Sequence, residues 1–388
     1  MQTLKPKLRF PEFKGDWKLY TLGNIAKFSK GKGISKSQID ENGLYECIRY
    51  GELYTVYGET IKYVRSRTNL SKNDLIFSES NDVIIPASGE TQLDIATASC
   101  VLKDGVALGG DLNIIKTDNS GVFLAYYLNS SKKEDIASLA QGVSVVHLYS
   151  SQLATLNINL PSLPEQTRIA HFLSAVDEKL HSLKEKKALL EEYKKGMMQK
   201  IFNQELRFKD DNGEDFEDWE EKNLGEIAEI SKGTQLNKDD LNKIDIYPSI
   251  SGGIEPSGYT NKFNREKDTI IISEGGNSCG YVNFIRTKFW CGGHCYSIDV
   301  LNDFSKLFIF QLLKFYQDEI MRLRVGSGLP NIQKKDLKVL KLTLPTAIEE
   351  QTKIAQFLSA IDEKIGLVGN QIEETVAYKK GLLQGMFV

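Results

Sequence analysis

Nowhere in its 388 residues does the sequence hold a run of about 18 apolar residues, which excludes an ordinary membrane-spanning helix. The opening MQTLKPKLRFPEFKGDW lacks the apolar core of an export signal. Cysteines are few and odd in number (Cys47, Cys100, Cys279, Cys291, Cys295), which fits a reducing compartment rather than a disulfide framework. These absences lead us to expect a cytoplasmic protein without a membrane partner. An excess of positive charge is also missing, since the formal net charge is −3. A chain that grips nucleic acid unaided is usually basic. Any such binding here therefore needs localised positive charge or the help of partners.

Catalytic signatures are missing too. Gly275-Gly276-Asn277-Ser278-Cys279-Gly280 has the first spacing of a phosphate-binding loop, but Tyr281 stands where lysine is required. No Asn/Asp-Pro-Pro-Tyr/Phe motif occurs, so methyl transfer to a flipped base falls to another protein. No two-metal carboxylate pattern of a nuclease is seen. Cys279, Cys291, His294 and Cys295 form the one metal-like group. Only Cys291 and Cys295 have ligand spacing, and packing in a Gly-rich strand region is the better reading. His171 lies beside an apolar stripe and is replaced by Gln356 in the repeat described next.

What the chain does have is a long internal duplication. EQTRIAHFLSAVDEKL (165–180) returns as EQTKIAQFLSAIDEKI (350–365), with 12 of 16 positions identical. At the same offset of 185, YKKGMMQKIF (193–202) returns as YKKGLLQGMF (378–387). Apolar residues recur every seventh position, at Ile169, Val176, Leu183, Leu190 and Met197, and at Ile354, Ile361, Val368, then Thr375 and Leu382. Phe172 and Leu173, with Phe357 and Leu358, widen the stripe. The pattern predicts two long amphipathic helices with a coiled-coil-like seam. Each starts beside proline (Pro161 and Pro164; Pro345) and would form a rod of roughly 57 Å. The glycine in each Tyr-Lys-Lys-Gly is expected to loosen the last turns. Lys186, Lys187, Lys194, Lys195, Lys379 and Lys380 are read as outer-face charges turned mainly to solvent.

A second echo precedes each helix. Trp17 matches Trp219, Leu22-Gly23-Asn24-Ile25-Ala26 matches Leu224-Gly225-Glu226-Ile227-Ala228, and Ser29-Lys30-Gly31 matches Ser231-Lys232-Gly233, at an offset of 202. The stretches between the echoes, about 27–160 and 229–344, differ in sequence, and the fall in offset from 202 to 185 shows that the second intervening segment is 17 residues shorter. Both read as mixed α/β with short strands, at 74–77, 83–85, 112–115, 269–272 and 281–285, and with short helices at 123–128 and 306–316.

Duplicated Leu-Pro…Glu-Gln-Thr-(Arg/Lys)-Ile-Ala-x-Phe-Leu-Ser-Ala-(Val/Ile)-Asp-Glu-Lys, with the Trp…Leu-Gly-(Asn/Glu)-Ile-Ala…Ser-Lys-Gly entry, resembles the specificity subunits of type I restriction–modification systems. The resemblance implies an α+β chain with two homologous mixed α/β target-recognition domains, separated by two long antiparallel helices in a pseudo-two-fold repeat. Its parts would be 1–162 (arm and first recognition domain), 163–203 (central helix), 204–346 (second recognition domain) and 347–388 (C-terminal helix). Residues 22–160 and 224–344 would each read half of an asymmetric bipartite site in double-stranded DNA. The helices would set the spacer and dock two methyltransferase subunits, through which restriction and translocase subunits join. No cofactor is then expected on this chain, because S-adenosylmethionine, ATP and Mg belong to those partners. A rod of roughly 57 Å is long enough to hold two readers one DNA turn, about 34 Å, apart.

Basic and amide side chains on loops are the natural readers of phosphates and base edges. In the first domain these are Lys30, Lys32, Lys36, Arg49, Lys62, Arg65 and Arg67, with Tyr63 as a stacking or sugar contact. In the second they are Lys232, Gln235, Asn237, Lys238, Asn277, Arg286, Lys288, Arg322 and Arg324. The competing reading is a coiled-coil adaptor that touches no DNA, and a further one is a stand-alone methyltransferase. Two diverged copies between near-identical helices argue against the adaptor, and the missing motifs argue against the enzyme.

Overall fold

The structure, a computed structural model, describes residues 5–142, 145–326, 328 and 330–388. The first four residues of the N-terminal arm and residues 143, 144, 327 and 329 lie outside the described residues. The chain divides into two compact units, Met1–Lys184 with Asn370–Val388, and Glu185–Gly369. Each unit therefore owns one mixed α/β head, one part of the central helix and one part of the C-terminal helix.

The central helix covers Leu163–Phe202 and the C-terminal helix Ile348–Met386. Both carry glutamate in the first turn, where the helix dipole favours negative charge. Neither breaks at Gly196 or Gly381, contrary to the expected loosening. Burial holds the last turns, with Ile201 and Phe202 in one core and Met386 and Phe387 in the other. In the first unit the start of the central helix (Ile169, Ala170, Leu173, Val176) shares a core with the end of the C-terminal helix (Leu382, Met386, Phe387). In the second unit the end of the central helix joins the start of its partner, through Ile354, Ala355, Leu358 and Ile361. Opposite ends meet in both units, so the helices are antiparallel. Along the predicted seam Val368 is also buried, while Leu183, Leu190 and Met197 are half-buried.

The heads share one scaffold. In the first, strand Lys18–Thr21 pairs antiparallel with Asn157–Leu160, and Glu220–Asn223 pairs in the same way with Lys341–Leu344 in the second. The first central sheet runs Ala26–Lys30, Leu112–Thr117, Val83–Pro86, Ser99–Val101, Thr60–Ile61. Its counterpart runs Ala228–Lys232, Cys295–Val300, Thr269–Ser273, Val282–Ile285. Val83–Pro86 and Thr269–Ser273 are buried on both faces, which accounts for their unbroken apolar runs. A three-stranded sheet completes each head, built on Tyr45–Ile48 in one and Tyr247–Ile250 in the other. Helices Gly121–Ser130 and Lys306–Phe315 occupy matching places, each N-capped by a serine hydroxyl, Ser120 or Ser305.

One expected strand is absent. Residues 74–77 form no ladder: Lys72–Asp74 winds a 3-10 turn and only Phe77 makes a single bridge, to Ala107. Lys32 Nζ bonds the Asn73 carbonyl and the Asp74 carboxylate, fixing the turn, while Leu75 enters the local core and Phe77 packs at its edge.

The repeated Ser-Lys-Gly has a steric cause. A Cβ on Gly31 would lie 1.9 Å from the Gly109 carbonyl oxygen, and one on Gly233 would lie 2.2 Å from that of Gly292. Only glycine lets these two loops cross.

Candidate nucleic-acid interface

Each head is fixed to its helices by the duplicated Glu-Gln. Glu165 is buried and accepts Arg9 Nε at 2.7 Å, Arg9 Nη2 at 2.8 Å and the Trp17 indole N–H at 3.4 Å. Glu350 accepts Arg207 Nε at 3.1 Å, Arg207 Nη2 at 2.9 Å and the Trp219 indole N–H at 3.2 Å. These charge-assisted bonds raise the pKa of both arginines, through the hydrogen bond to glutamate first. The next residues, Gln166 and Gln351, accept the Ser120 and Ser305 backbone N–H groups and donate to the Pro161 and Pro345 carbonyls. Phe172 and Phe357, packed at the edge of the cores the two helices share, also receive the arm, stacking edge-on with Phe10 (5.7 Å) and Phe208 (5.8 Å). Sequence reasoning placed these residues in a motif without giving them this task. The signal was present in the identity of Glu-Gln and of Leu-Arg-Phe in both copies.

Two of the lysines read as outer-face charges turn inward. Lys194 meets Asp362 at 2.7 Å, and Lys379 meets Asp177 at 2.7 Å and Glu59 at 3.1 Å. The heads join the same clusters, because Tyr126 donates to Asp177 at 2.5 Å and Gln311 donates to Asp362 at 2.8 Å.

The nominated basic residues fall into local groups. In the first head Lys30 ends a strand and lies 5.8 Å over the Tyr149 ring. Lys32 is neutralised by Asp74 at 3.1 Å, while Lys36 opens an exposed 3-10 turn. Arg49 lies beside buried Glu52, which accepts the Arg49 backbone N–H and the hydroxyl of Ser66, the residue between Arg65 and Arg67. Arg67 is tied inward, donating to the Gly43 and Leu44 carbonyls, whereas Arg65 is exposed. Lys62 lies over the ring of Tyr63, which is 80% exposed.

In the second head Lys232 bonds Glu274 at 2.7 Å, and Glu274 also accepts the Tyr296 hydroxyl. Burial, aided by that bond, pushes the Tyr296 phenol up to about 12. Asn331 bridges both Gly275 and Val325, tying the chain beside Asn277 to that beside Arg324, near Lys232. Gln235, Asn237 and Lys238 follow along an exposed loop, with Gln235 against Gly293. Arg286 and Lys288 lie on a different hairpin, over Phe284 and Phe263 respectively, and Lys288 pairs with Glu266. Arg322 closes helix Gln317–Arg322. Among the described residues Lys36, Arg65, Lys238, Arg322 and Arg324 are exposed and make neither ion pair nor ring contact, while Lys30, Lys62 and Arg286 are exposed and held only over rings, which leaves all of them available to a polyanion.

The Cys279 thiol donates to the Glu274 carbonyl at 3.0 Å, and His294 is exposed. Among the described residues no group of three or more metal-ligating side chains converges, and no helix is long and apolar enough to cross a membrane.

A family model described as the type I restriction modification DNA specificity domain matches residues 14–192 and 216–377. The specificity subunit of the type I restriction enzyme MjaVIII, from Methanocaldococcus jannaschii, is 26% identical over 97% of this chain and 92% of its own length. A sequence assigned as a type I specificity subunit in Mycoplasma pneumoniae is 37% identical over 40% of this chain. The matched stretch spans 42% of that protein's length and 41% of a similar one from Mycoplasma genitalium. The crystal structure of a type I S subunit from M. genitalium superposes with a TM-score of 0.75 at 20% identity, covering 99% of both chains. A chain from a structure of type I complex assembly gives 0.54 at 19% identity, covering 97% of both.

Proposed function

Because the chain belongs to the type I restriction–modification DNA specificity family, we propose that it is the non-catalytic reader of a two-part DNA site. Each head takes one half, and the antiparallel helices set the gap between halves. Two methyltransferase subunits dock on the helices and methylate adenine, and ATP-dependent restriction subunits join through them. S-adenosylmethionine, ATP and Mg are held by those partners, and the assembly works in the cytoplasm.

One observation carries this reading: two heads share sheet order and helix attachment, yet present unlike loops. A scaffold duplicated so faithfully, with surfaces so diverged, suits two different half-sites in opposed orientation. Localised charge at Lys36, Arg65, Lys238 and Arg324 answers the near-neutral whole, since phosphate contacts need only a local excess.

The decisive experiment is co-expression with the cognate methyltransferase subunit, followed by genome-wide mapping of modified adenines. A two-part motif with a fixed gap is expected. Exchanging residues 22–160 for another recognition domain should alter one half only. A change in both halves, or a motif without a gap, would overturn the assignment.

A further inference from the structure

Cys291 and Cys295 flank a Gly-Gly-His turn in the second head, closed by the Cys295 N–H on the Gly292 carbonyl at 3.1 Å. Both are fully buried in one small cluster with Ile250, Ile271 and Phe289. The reading loop is laid directly on this turn. Gly233 N–H donates to the Cys295 carbonyl at 2.8 Å, and Thr234 N–H donates to that of Cys291 at 2.9 Å. Gly292 also walls a cavity of about 160 Å³ shared with Gln235, Lys238, Ser249, Ser251 and Ser257. The first head keeps the same two bonds, Gly31 N–H to Leu112 and Lys32 N–H to Leu108, with leucine in place of both cysteines. A pair of neighbouring thiols therefore stands in one head where the other carries leucines.

We propose that Cys291 and Cys295 form a reversible disulfide under peroxide, loosening the 231–238 loop of the second head alone. Cys295 is the attacking sulfur. It accepts the Gly252 N–H at 3.0 Å, and the hydrogen bond from Cys291 holds its thiol below the ordinary range, while Cys291 is driven up. The Cys295 thiolate bonds to one peroxide oxygen, the O–O bond breaks, and the leaving hydroxide takes a proton to become water. Cys291 sulfur then attacks the resulting sulfenic acid, the S–S bond forms and a second water leaves. Two thiols are oxidised and one peroxide is reduced. Cellular thiols reverse the bond by exchange. The consequence for DNA rests on the function proposed above, whereas the disulfide itself does not.

The test treats the full chain with hydrogen peroxide, then blocks remaining thiols and digests it. A Cys291–Cys295 linked peptide, lighter by about 2 Da, is expected, and dithiothreitol should remove it. Amide exchange at Gly233 and Thr234 should rise about threefold or more on oxidation, with Gly31 and Lys32 unchanged. Cys291→Ser should abolish the link, and dithiothreitol reversal in the unaltered chain serves the same end should that variant fold poorly. Thiols that remain blockable, oxidation of one cysteine alone, or a disulfide with unchanged exchange would each overturn the proposal. In a random-sequence duplex selection with the chain assembled with its methyltransferase subunits, the oxidised assembly should lose preference in one half only. If the reduced assembly selects nothing, the DNA-reading assignment fails, while mass and exchange still decide the switch.

Discussion

Lys194 and Asp362 meet at 2.7 Å, and each has a counterpart 185 residues away, Lys379 and Asp177, that meets at the same distance. Residues of one sequence motif pair with those of the other, twice, which only an antiparallel helix pair permits. These bridges are mostly buried, so they should count for more than surface pairs. Lys194→Ala is expected to cost about 1–2 kcal/mol in urea unfolding, and a cycle with Asp362→Ala should show coupling of about 1 kcal/mol. Lys379→Ala should cost more, because it leaves both Asp177 and Glu59 without their cation. Additive single and double variants would remove the bridge as a helix-pairing device.

Glu350 supports a harsher prediction. Its carboxylate is fully buried and holds the arm arginine and Trp219 against the helix start. Glu350→Ala removes the buried partner of Arg207, which keeps the Glu217 carbonyl and Asp218, so the expected cost is about 2–3 kcal/mol, below that of a fully buried pair. Trp219 emission should shift to the red as the arm detaches. Glu165→Ala should do the same to Trp17 in the first unit. Unshifted emission in both variants would show that the arms are held by packing alone.

Lys314 gives the second unit a pH signature. Burial lowers its pKa to about 8, with Lys194 adding to the fall and Asp362 opposing it. The unfolded lysine titrates near 10.5. Between those values the unfolded chain holds the extra proton, so stability rises with pH from about 8 toward 10.5. The full shift is worth about 3 kcal/mol, and partial solvent access brings it to the order of 1–2 kcal/mol. Measurement should stop near pH 8.7, because the thiols of Cys47, Cys100, Cys279 and Cys291 are held above their ordinary 9.0 and act in the opposite sense beyond it, as Tyr296 does above 10.0. Urea midpoints at pH 7.2 and 8.7 should diverge in the natural chain and clearly less in Lys314→Met. Equal divergence in both would place the titration elsewhere.

Much of this architecture was legible because duplication makes a sequence its own comparison. The helices and the paired heads followed from the offsets of 185 and 202, whereas the antiparallel sense came only with the family resemblance. Individual side-chain roles did not follow. Lys194 and Lys379 looked solvent-facing because seven-residue periodicity marks apolar contacts and is blind to a charge bridging at the seam's edge. The arm's hold on Phe172 and Phe357 was not legible, because periodicity marks an apolar face without saying what else covers it. Residues 74–77 read as a strand from composition, but Lys32 reaching Asn73 and Asp74 favours a turn there.

The glycines of the Ser-Lys-Gly loops are open to a sharp comparison. Gly31→Ala or Gly233→Ala would force a methyl into carbonyl oxygen closer than any real contact, so both should destabilise their own head by at least about 2 kcal/mol. Gly33→Ala, where no atom lies within 4 Å, should be close to neutral. Thermal unfolding of the three variants checks the ranking. Neutral Gly31→Ala and Gly233→Ala would show that the loop crossing is compliant.

The nominated reading residues separate into those with internal work and those without. Lys36 and Lys238 are exposed and make no ion pair among the described residues, so alanine at either should weaken duplex binding across all sequences. Each should reduce the slope of log affinity against log salt by about 1, as expected for one lost phosphate contact. Arg67 instead donates to two backbone carbonyls, and Lys288 pairs with Glu266 over the Phe263 ring. Arg67→Ala and Lys288→Ala should lower stability while leaving the salt slope unchanged. Salt titrations of binding by the four variants, assembled with methyltransferase, distinguish the classes. A slope unmoved by Lys36→Ala and Lys238→Ala, or moved equally by all four, would mean that exposure and free charge do not mark the DNA-facing side of these heads.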